Sequence, residues 1–297
     1  MRTRLTASSL NSAVNSCFGT LNIPSLHFAY PIQRPLEDEI RGEAQRAHHV
    51  TSQDDGFALR LGRRIVAGKL RNQRHVLLRG ARDAKDEADR RILTRAAQDL
   101  AASQRALPAA ATLDAVRGVE GEAARGYFAV LNHLLRPDLR AQFRMEGRSR
   151  RPPRDRMNAL LSFLYSMWMN DCRSACETAG LDPQVGYLHV LRPGRAALAL
   201  DLMEEFRPLA DRLALTLINR LQVTVEAFDE REGGAVMLTA DARKAVVLAF
   251  QERKQESLAH PLFAESVPLG LVPLVQARLL ARHVRGEVAD YPPFALR

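Results

Sequence analysis

GLDPQVGYLHVLRPGRAALALDLMEEFRPLAD, residues 180–211, is the stretch around which the rest of the chain is read. It delivers His189 just ahead of a turn, Arg192-Pro193-Gly194-Arg195, and follows the turn with an apolar run carrying Asp201 and Glu204. Carboxylates three residues apart on a helix project from one face. A histidine brought by a turn onto such a pair makes an oxygen-rich donor set, and hard donors suit Mg²⁺ or Mn²⁺ better than Zn²⁺. The same residues have a plainer reading. Acidic groups at a helix start complement the macrodipole, and a single histidine is commonly a surface or satisfied residue.

Working outward, the chain reads as helix after helix from about Asp54, and the expected fold class is mainly α. Phe57, Leu61 and Ile65 recur at i+4, a pattern that continues through Leu70 to Leu78. Asp86–Leu107 is amphipathic on a stripe of Ile92, Leu93, Ala96, Ala97 and Leu100, and Pro108 ends it. Thr112 is an expected N-cap. Asn158–Ala179 reads as a long apolar core helix with Gly180 as its C′ residue. Ala197–Arg220 follows, with a kink expected at Pro208. Gln222–Phe228 and Ala235–Leu238 pair as short strands around Gly233-Gly234, and Ala240–Leu258 and Leu269–Arg285 are further helices. Residues 1–50 differ: Ser, Asn and Thr are frequent, prolines stand at 24, 31 and 35, and no period of 2 or 3.6 is sustained. They are expected to be a loosely ordered segment, with a short strand near Leu26–Tyr30 and a short helix near Leu36–Ala47. The remainder, 51–297, is expected to be one helical domain.

With 297 residues, of which 46% are apolar, the chain can bury a real core. Its formal net charge of +9 at pH 7 comes mostly from arginine, which suits phosphate and makes nucleic acid a leading partner class. The cysteines Cys17, Cys172 and Cys176 are odd in number and lack zinc-ribbon spacing, which points to a reducing cytoplasm. No run reaches the ~18 apolar residues of a membrane span. The N-terminus lacks the apolar core of a secretion signal.

A second acidic position stands in Arg117-Gly-Val-Glu120-Gly121-Glu122, where Glu120 lies between glycines at an expected helix entrance. Glycine on either side lets a ligand approach the backbone. A simple acidic turn is the plainer reading, and Glu122 is the rival for any role given to Glu120.

Taken together, GVEGEAARGYF, NALLSFLY (158–165), GLDPQVGYLH and ALDLMEEFRP resemble, in order and spacing, the CRISPR-associated integrase and endonuclease of the spacer-acquisition complex. The ending, AFQERKQESLAHPLF through VQARLLARHVRG to YPPF, resembles the branch found with type I-C systems. The resemblance covers roughly residues 52–297. It implies an all-α, metal-dependent DNA nuclease using Mg²⁺ or Mn²⁺. The metal ligands it implies are Glu120, His189 and Glu204, with Asp201 completing the catalytic cluster. It also implies 3′-hydroxyl transesterification that inserts captured DNA fragments as new spacers. The implied partners are double-stranded and branched DNA, CRISPR repeat DNA, a second copy of the chain, and a small second adaptation protein. Two departures stand out. The family's N-terminal β-rich domain is expected to be truncated or replaced by residues 1–50, and Val190 and Leu191 follow His189 where relatives more often carry polar residues.

Arg148, Arg150, Arg151, Arg154 and Arg156 surround Pro152-Pro153 and are read as a DNA-binding loop, or else as a solvated charge run. Arg243, Lys244, Arg253 and Lys254 form a second, mixed-charge candidate. Tyr165 and Trp168 are read as core, and His48, His49 and His133 as lacking a carboxylate at ligand spacing. The rival functions are a catalytically impaired DNA-binding remnant of the family and a helical regulatory or scaffold protein without metal.

Overall fold

The computed structural model describes residues 33–260 and 266–296. The chain is mainly helical. Its helices are α1 (Gln33–Thr51), α2 (Asp55–Asp83), α3 (Glu87–Ala106), α4 (Leu113–Ala129), α5 (Arg156–Thr178), α6 (Ala197–Met203), α7 (Arg207–Asn219), α8 (Ala240–Gln255) and α9 (Val272–Val284). Two antiparallel strand pairs complete it, β1 (Phe228–Arg231) with β2 (Ala235–Leu238) and β3 (Ser257–Ala259) with β4 (Ser266–Pro268).

The helix starts are where side-chain caps place them. Asp54, Asp86, Thr112, Asp155 and Thr239 each accept a hydrogen bond from a backbone N–H two or three residues on, satisfying donors that a helix start leaves orphaned. Helices α2, α3 and α4 pack on one another, while α5 carries α6, α7 and α9; α2 also packs on α7 and joins the two groups. Trp168, Phe206 and Phe294 stack in series at centroid spacings of 5.2 and 5.7 Å. Tyr165 and Trp168 are buried, as core residues should be. So are Cys172 and Cys176, whose thiols burial pushes far above their ordinary range.

Several expectations need correction. Glu120 lies inside α4, not at a helix entrance: the helix runs unbroken through Gly118, Gly121 and Gly126. Each glycine costs about 1 kcal/mol against alanine, but the Thr112 cap and the burial of Val116, Ala123 and Tyr127 offset that. Pro208 does not kink a helix but opens one. The chain breaks after Met203, and α7 begins at Arg207 with the proline in its first turn, where a missing N–H costs nothing. The first strand begins at Phe228, where the expected one ended, and it pairs Phe228 with Leu238. The β3–β4 pair has no counterpart in the periodicity.

The boundary at residue 50 also shifts. The helix around Leu36–Ala47 is longer than expected and its C-terminal part is packed, with Ala44 and His48 fully buried. At the end of α5, Leu181 N–H donates to the Cys176 carbonyl at 2.9 Å, and Gly180 has φ +77°. A Cβ on Gly180 would stand 2.7 Å from the Arg41 carbonyl, so glycine serves both the turn and the docking of α1. The strand expected near Leu26–Tyr30 lies outside the described residues, as does Cys17. Among the described residues no helix is long and apolar enough to cross a membrane.

Candidate functional site

The break between α6 and α7 sets up the site. It puts Glu204 and Glu205 in the junction, both buried, with Asp201 one turn earlier on α6. Asp201 is fully buried and every oxygen is used. Oδ2 accepts from the Tyr187 and Leu188 N–H groups at 2.7 and 2.9 Å, and Oδ1 accepts from the His189 N–H at 2.9 Å. His189 Nδ1 lies 2.6 Å from the same Oδ1. Gly186 makes this possible: a Cβ there would sit 2.7 Å from the Ala197 Cβ and 3.0 Å from Asp201 Oδ2. Asp201 is therefore not a free carboxylate completing a ligand cluster but the group that aims His189. A carboxylate on one ring nitrogen fixes tautomer and orientation and turns the other nitrogen outward. That nitrogen, Nε2, faces Glu204 Oε1 at 3.7 Å.

Glu204 is 4% exposed and accepts at Oε1 from Arg207 Nε at 2.8 Å. Its buried Oε2 lies 2.7 Å from the Lys69 Nζ, whose ammonium pairs with it. Burial alone would raise its carboxyl; Arg207, Lys69 and His189 outweigh it and hold Glu204 well below the usual carboxylate range. Glu120 reaches the same Lys69 ammonium from α4, with its side chain 27% exposed. Glu120 and Glu204, from different helical groups, thus meet on one lysine of α2, and His189, from the loop, faces Glu204. Glu122 points elsewhere: it is exposed along a cleft of about 650 Å³ between α3 and α4.

The donor set fits a hard divalent cation by its chemistry: two carboxylates and one imidazole nitrogen, with Lys69 Nζ 2.7 Å from the buried Glu204 Oε2. As the side chains stand, with an ammonium among them, the described residues include no group of three His, Cys, Asp or Glu close enough to hold an ion.

Five supporting residues escape the sequence reading. Lys69 is 5% exposed. It continues the buried Leu61–Ile65 stripe by another i+4 step, and a charge at a stripe position is the signal that could have found it. Arg207 stacks over Tyr165 with its guanidinium carbon 4.8 Å from the ring centre. Arg117 Nε donates to the Leu188 carbonyl at 2.8 Å, tying α4 to the His189 segment. His48 donates Nε2–H to the Val185 carbonyl at 2.9 Å and accepts the Asp182 N–H at Nδ1, bracing that segment from the other side. Burial holds His48 at a pKa of about 4, so it is neutral. His133, for which sequence spacing offers no carboxylate, meets Asp89 of α3 at 2.7 Å.

The arginine loop divides. Arg148 is tucked over the Phe128 and Tyr165 rings and bonds Asn158, so it braces the interior rather than facing a ligand. Arg154 bonds the Gly233 carbonyl, and Arg156 bonds the Gln142 carbonyl and pairs with Glu230, fastening the loop to the β1–β2 hairpin. Arg150 and Arg151 are exposed and form no ion pair among the described residues. Partial burial, and then Arg192, lower the Arg195 pKa, with Arg150 and Arg151 also close enough to contribute. The turn after His189 and the loop tip therefore form one cationic surface. The second candidate patch is largely neutralised within itself: Lys244 pairs with Asp241, Arg253 with Glu256 and Lys254 with Asp171.

Comparison with known proteins relates the chain to one family. The family model described as CRISPR associated protein Cas1 matches residues 29–252. The chain is 54% identical over 254 residues to CRISPR-associated endonuclease Cas1 1 of Moorella thermoacetica, spanning 85% of this chain and 74% of that protein. It is 43% identical over 250 residues to CRISPR-associated endonuclease Cas1 of Leptospira interrogans, spanning 84% and 98%. Among solved structures, a chain of a partial Cas6-RT-Cas1–Cas2 complex superposes with a TM-score of 0.73 at 26% identity, over 86% of this chain and 74% of that one. The chain belongs to the CRISPR-associated Cas1 family.

Proposed function

We propose that this chain is a metal-dependent DNA endonuclease and integrase of CRISPR adaptation, of the branch resembling type I-C systems, acting in the cytoplasm. The reaction proposed is transesterification. The 3′-hydroxyl oxygen of a captured DNA fragment attacks a phosphodiester at the edge of a CRISPR repeat. A new P–O bond forms, the bond to the old 3′-oxygen breaks, and the proton lost by the attacking hydroxyl is balanced by one gained by the leaving oxygen. What supports this reading, in a chain of this family, is that Glu120 and Glu204 share the Lys69 ammonium while His189 Nε2 faces Glu204.

Those three residues would hold the divalent cation, Mg²⁺ or Mn²⁺. Bound there, it would supply positive charge to the phosphoryl oxygens as the reaction proceeds. The chain's own groups do the positioning. Asp201 keeps the His189 ring turned so that Nε2 faces Glu204. Arg207 keeps Glu204 ionised in a buried place, because a buried carboxylate without a paired charge would take up a proton. Histidine is a ligand only as neutral imidazole, so acid weakens the site. Arg150 and Arg151 with Arg192 and Arg195 offer guanidinium groups beside His189 for phosphates of double-stranded, branched and repeat DNA.

The partners proposed are a second copy of the chain and a small second adaptation protein. The likeness to a chain of a solved complex that includes Cas2 supports the latter. The test is Mn²⁺-dependent cleavage and strand transfer on branched DNA. Wild type and Glu122→Ala should be active, and Glu120→Ala, His189→Ala and Glu204→Ala should be inactive with unchanged helix content. An inactive Glu122→Ala beside an active Glu120→Ala would move the site to the other face of α4.

A further inference from the structure

Lys69 stands between two of the proposed ligands. Its ammonium meets Glu120 on α4 and Glu204 at the α6–α7 junction while its side chain is only 5% exposed. Burying an ammonium costs several kcal/mol unless it is paired, so Lys69 is stable here only while both carboxylates face it. The reverse also holds. Without a cation between them the two ionised carboxylates repel, and Glu120, whose ion pair among the described residues is with Lys69, would not hold its position.

Two cations touch Glu204, and they are held differently. Arg207 is stacked on Tyr165, directs Nε at Oε1 and lies at the start of a packed helix. Lys69 is held by the two carboxylates, with no aromatic ring stacked against its head among the described residues. A flexible four-carbon stem with a compact charge can swing away; a stacked planar guanidinium cannot do so as easily. Side chains spread around an ammonium also explain why the described residues include no ready-made three-ligand group although the donors are all present.

We propose that Lys69 is a resident counter-cation: it holds the ligand set together in the metal-free protein and is exchanged for the divalent ion, so that metal affinity is set by competition with a side chain of the chain itself. This rests on the metal-dependent reading above. Lys69 is thereby a positioning residue of the metal-free state, and the exchange has the open Glu120 edge, 27% exposed, as its way out.

The test is calorimetric titration of Mn²⁺ into the full chain, wild type against Lys69→Met and Lys69→Gln, with melting temperatures in EDTA and in Mn²⁺. Both variants should bind Mn²⁺ at least about tenfold more tightly, as expected when the competing form of a site is removed. Both should melt lower than wild type in EDTA and recover in Mn²⁺, whereas the wild-type melting temperature should move little. Should a variant fold only in metal, refolding with Mn²⁺ but not in EDTA reads out the same exchange, and failure to refold in either overturns it. Equal or weaker Mn²⁺ binding in both variants overturns the exchange while leaving the metal reading intact. No binding by wild type or variants sinks the metal reading and the exchange with it.

Discussion

The two halves of the site are built differently. On the His189 side, a buried aspartate fixes three backbone N–H groups and a ring, Arg117 and His48 brace the same segment, and Arg207 pins Glu204. On the Glu120 side, a glutamate stands midway along a helix, between glycines around which a Cβ would meet nothing within 4 Å, held by one lysine. One half is preorganised by many short bonds that no ligand is needed to make. The other depends on a cation. One wall of the site is fixed by the chain's own bonds, and the other is held by a single lysine.

That contrast can be broken by substitution. The largest effects should come from His189→Ala, Glu204→Ala and Glu120→Ala, each lowering strand transfer by roughly 10³-fold or more, since a bound metal supplies several kcal/mol of transition-state stabilisation. Asp201→Asn should be milder, about 10- to 100-fold in metal affinity or activity, because it loosens the ring without removing a ligand. A loss for Asp201→Asn as large as for His189→Ala would put Asp201 among the ligands instead.

The basic surface separates the two halves further. Arg150→Ala with Arg151→Ala should reduce the slope of log K against log salt by about 0.9 for each phosphate no longer neutralised. Arg148→Ala should leave that slope unchanged and lower the melting temperature, because it removes an arginine from an aromatic pocket. A slope change from Arg148→Ala alone would reverse the division.

A further contrast concerns the α1 brace. His48 has a folded pKa of about 4, lowered from 6.5 chiefly by burial. The unfolded chain therefore binds a proton at higher pH than the folded one does. Stability from this group is complete above pH 6.5 and is lost as the pH falls toward 4, by up to about 3 kcal/mol. Hydrogen exchange across α1 should accelerate in that window, and His48→Gln should flatten the response. A wild-type response that is already flat would show that α1 does not depend on a neutral His48.

The helical character of the chain was legible because apolar spacing and caps act locally: Asp86, Thr112 and Gly180 do in the structure what their residue types require. His189 and Glu204 were legible together from spacing, but Glu120 was not, because it lies 69 and 84 positions from them and meets Glu204 only through Lys69; the resemblance to a family supplied it. Asp201 shows the limit most clearly. Its period with Glu204 is helical, but whether a carboxylate is a ligand or an anchor depends on which N–H groups reach it, and Gly186 decides that from across a turn. The unequal arginines of the 148–156 loop follow the same rule. Charge is written in the sequence; its partners are not.

Every role assigned above turns on Glu120, His189 and Glu204 holding one divalent ion. Anomalous diffraction from crystals of the full chain grown in Mn²⁺ would show that ion itself. The expected result is a single Mn²⁺ peak bounded by these three side chains, with Lys69 displaced from between the carboxylates. A peak centred on Asp201 or Glu122, or crystals in saturating Mn²⁺ with Lys69 still between Glu120 and Glu204 and no peak there, would refute the assignment.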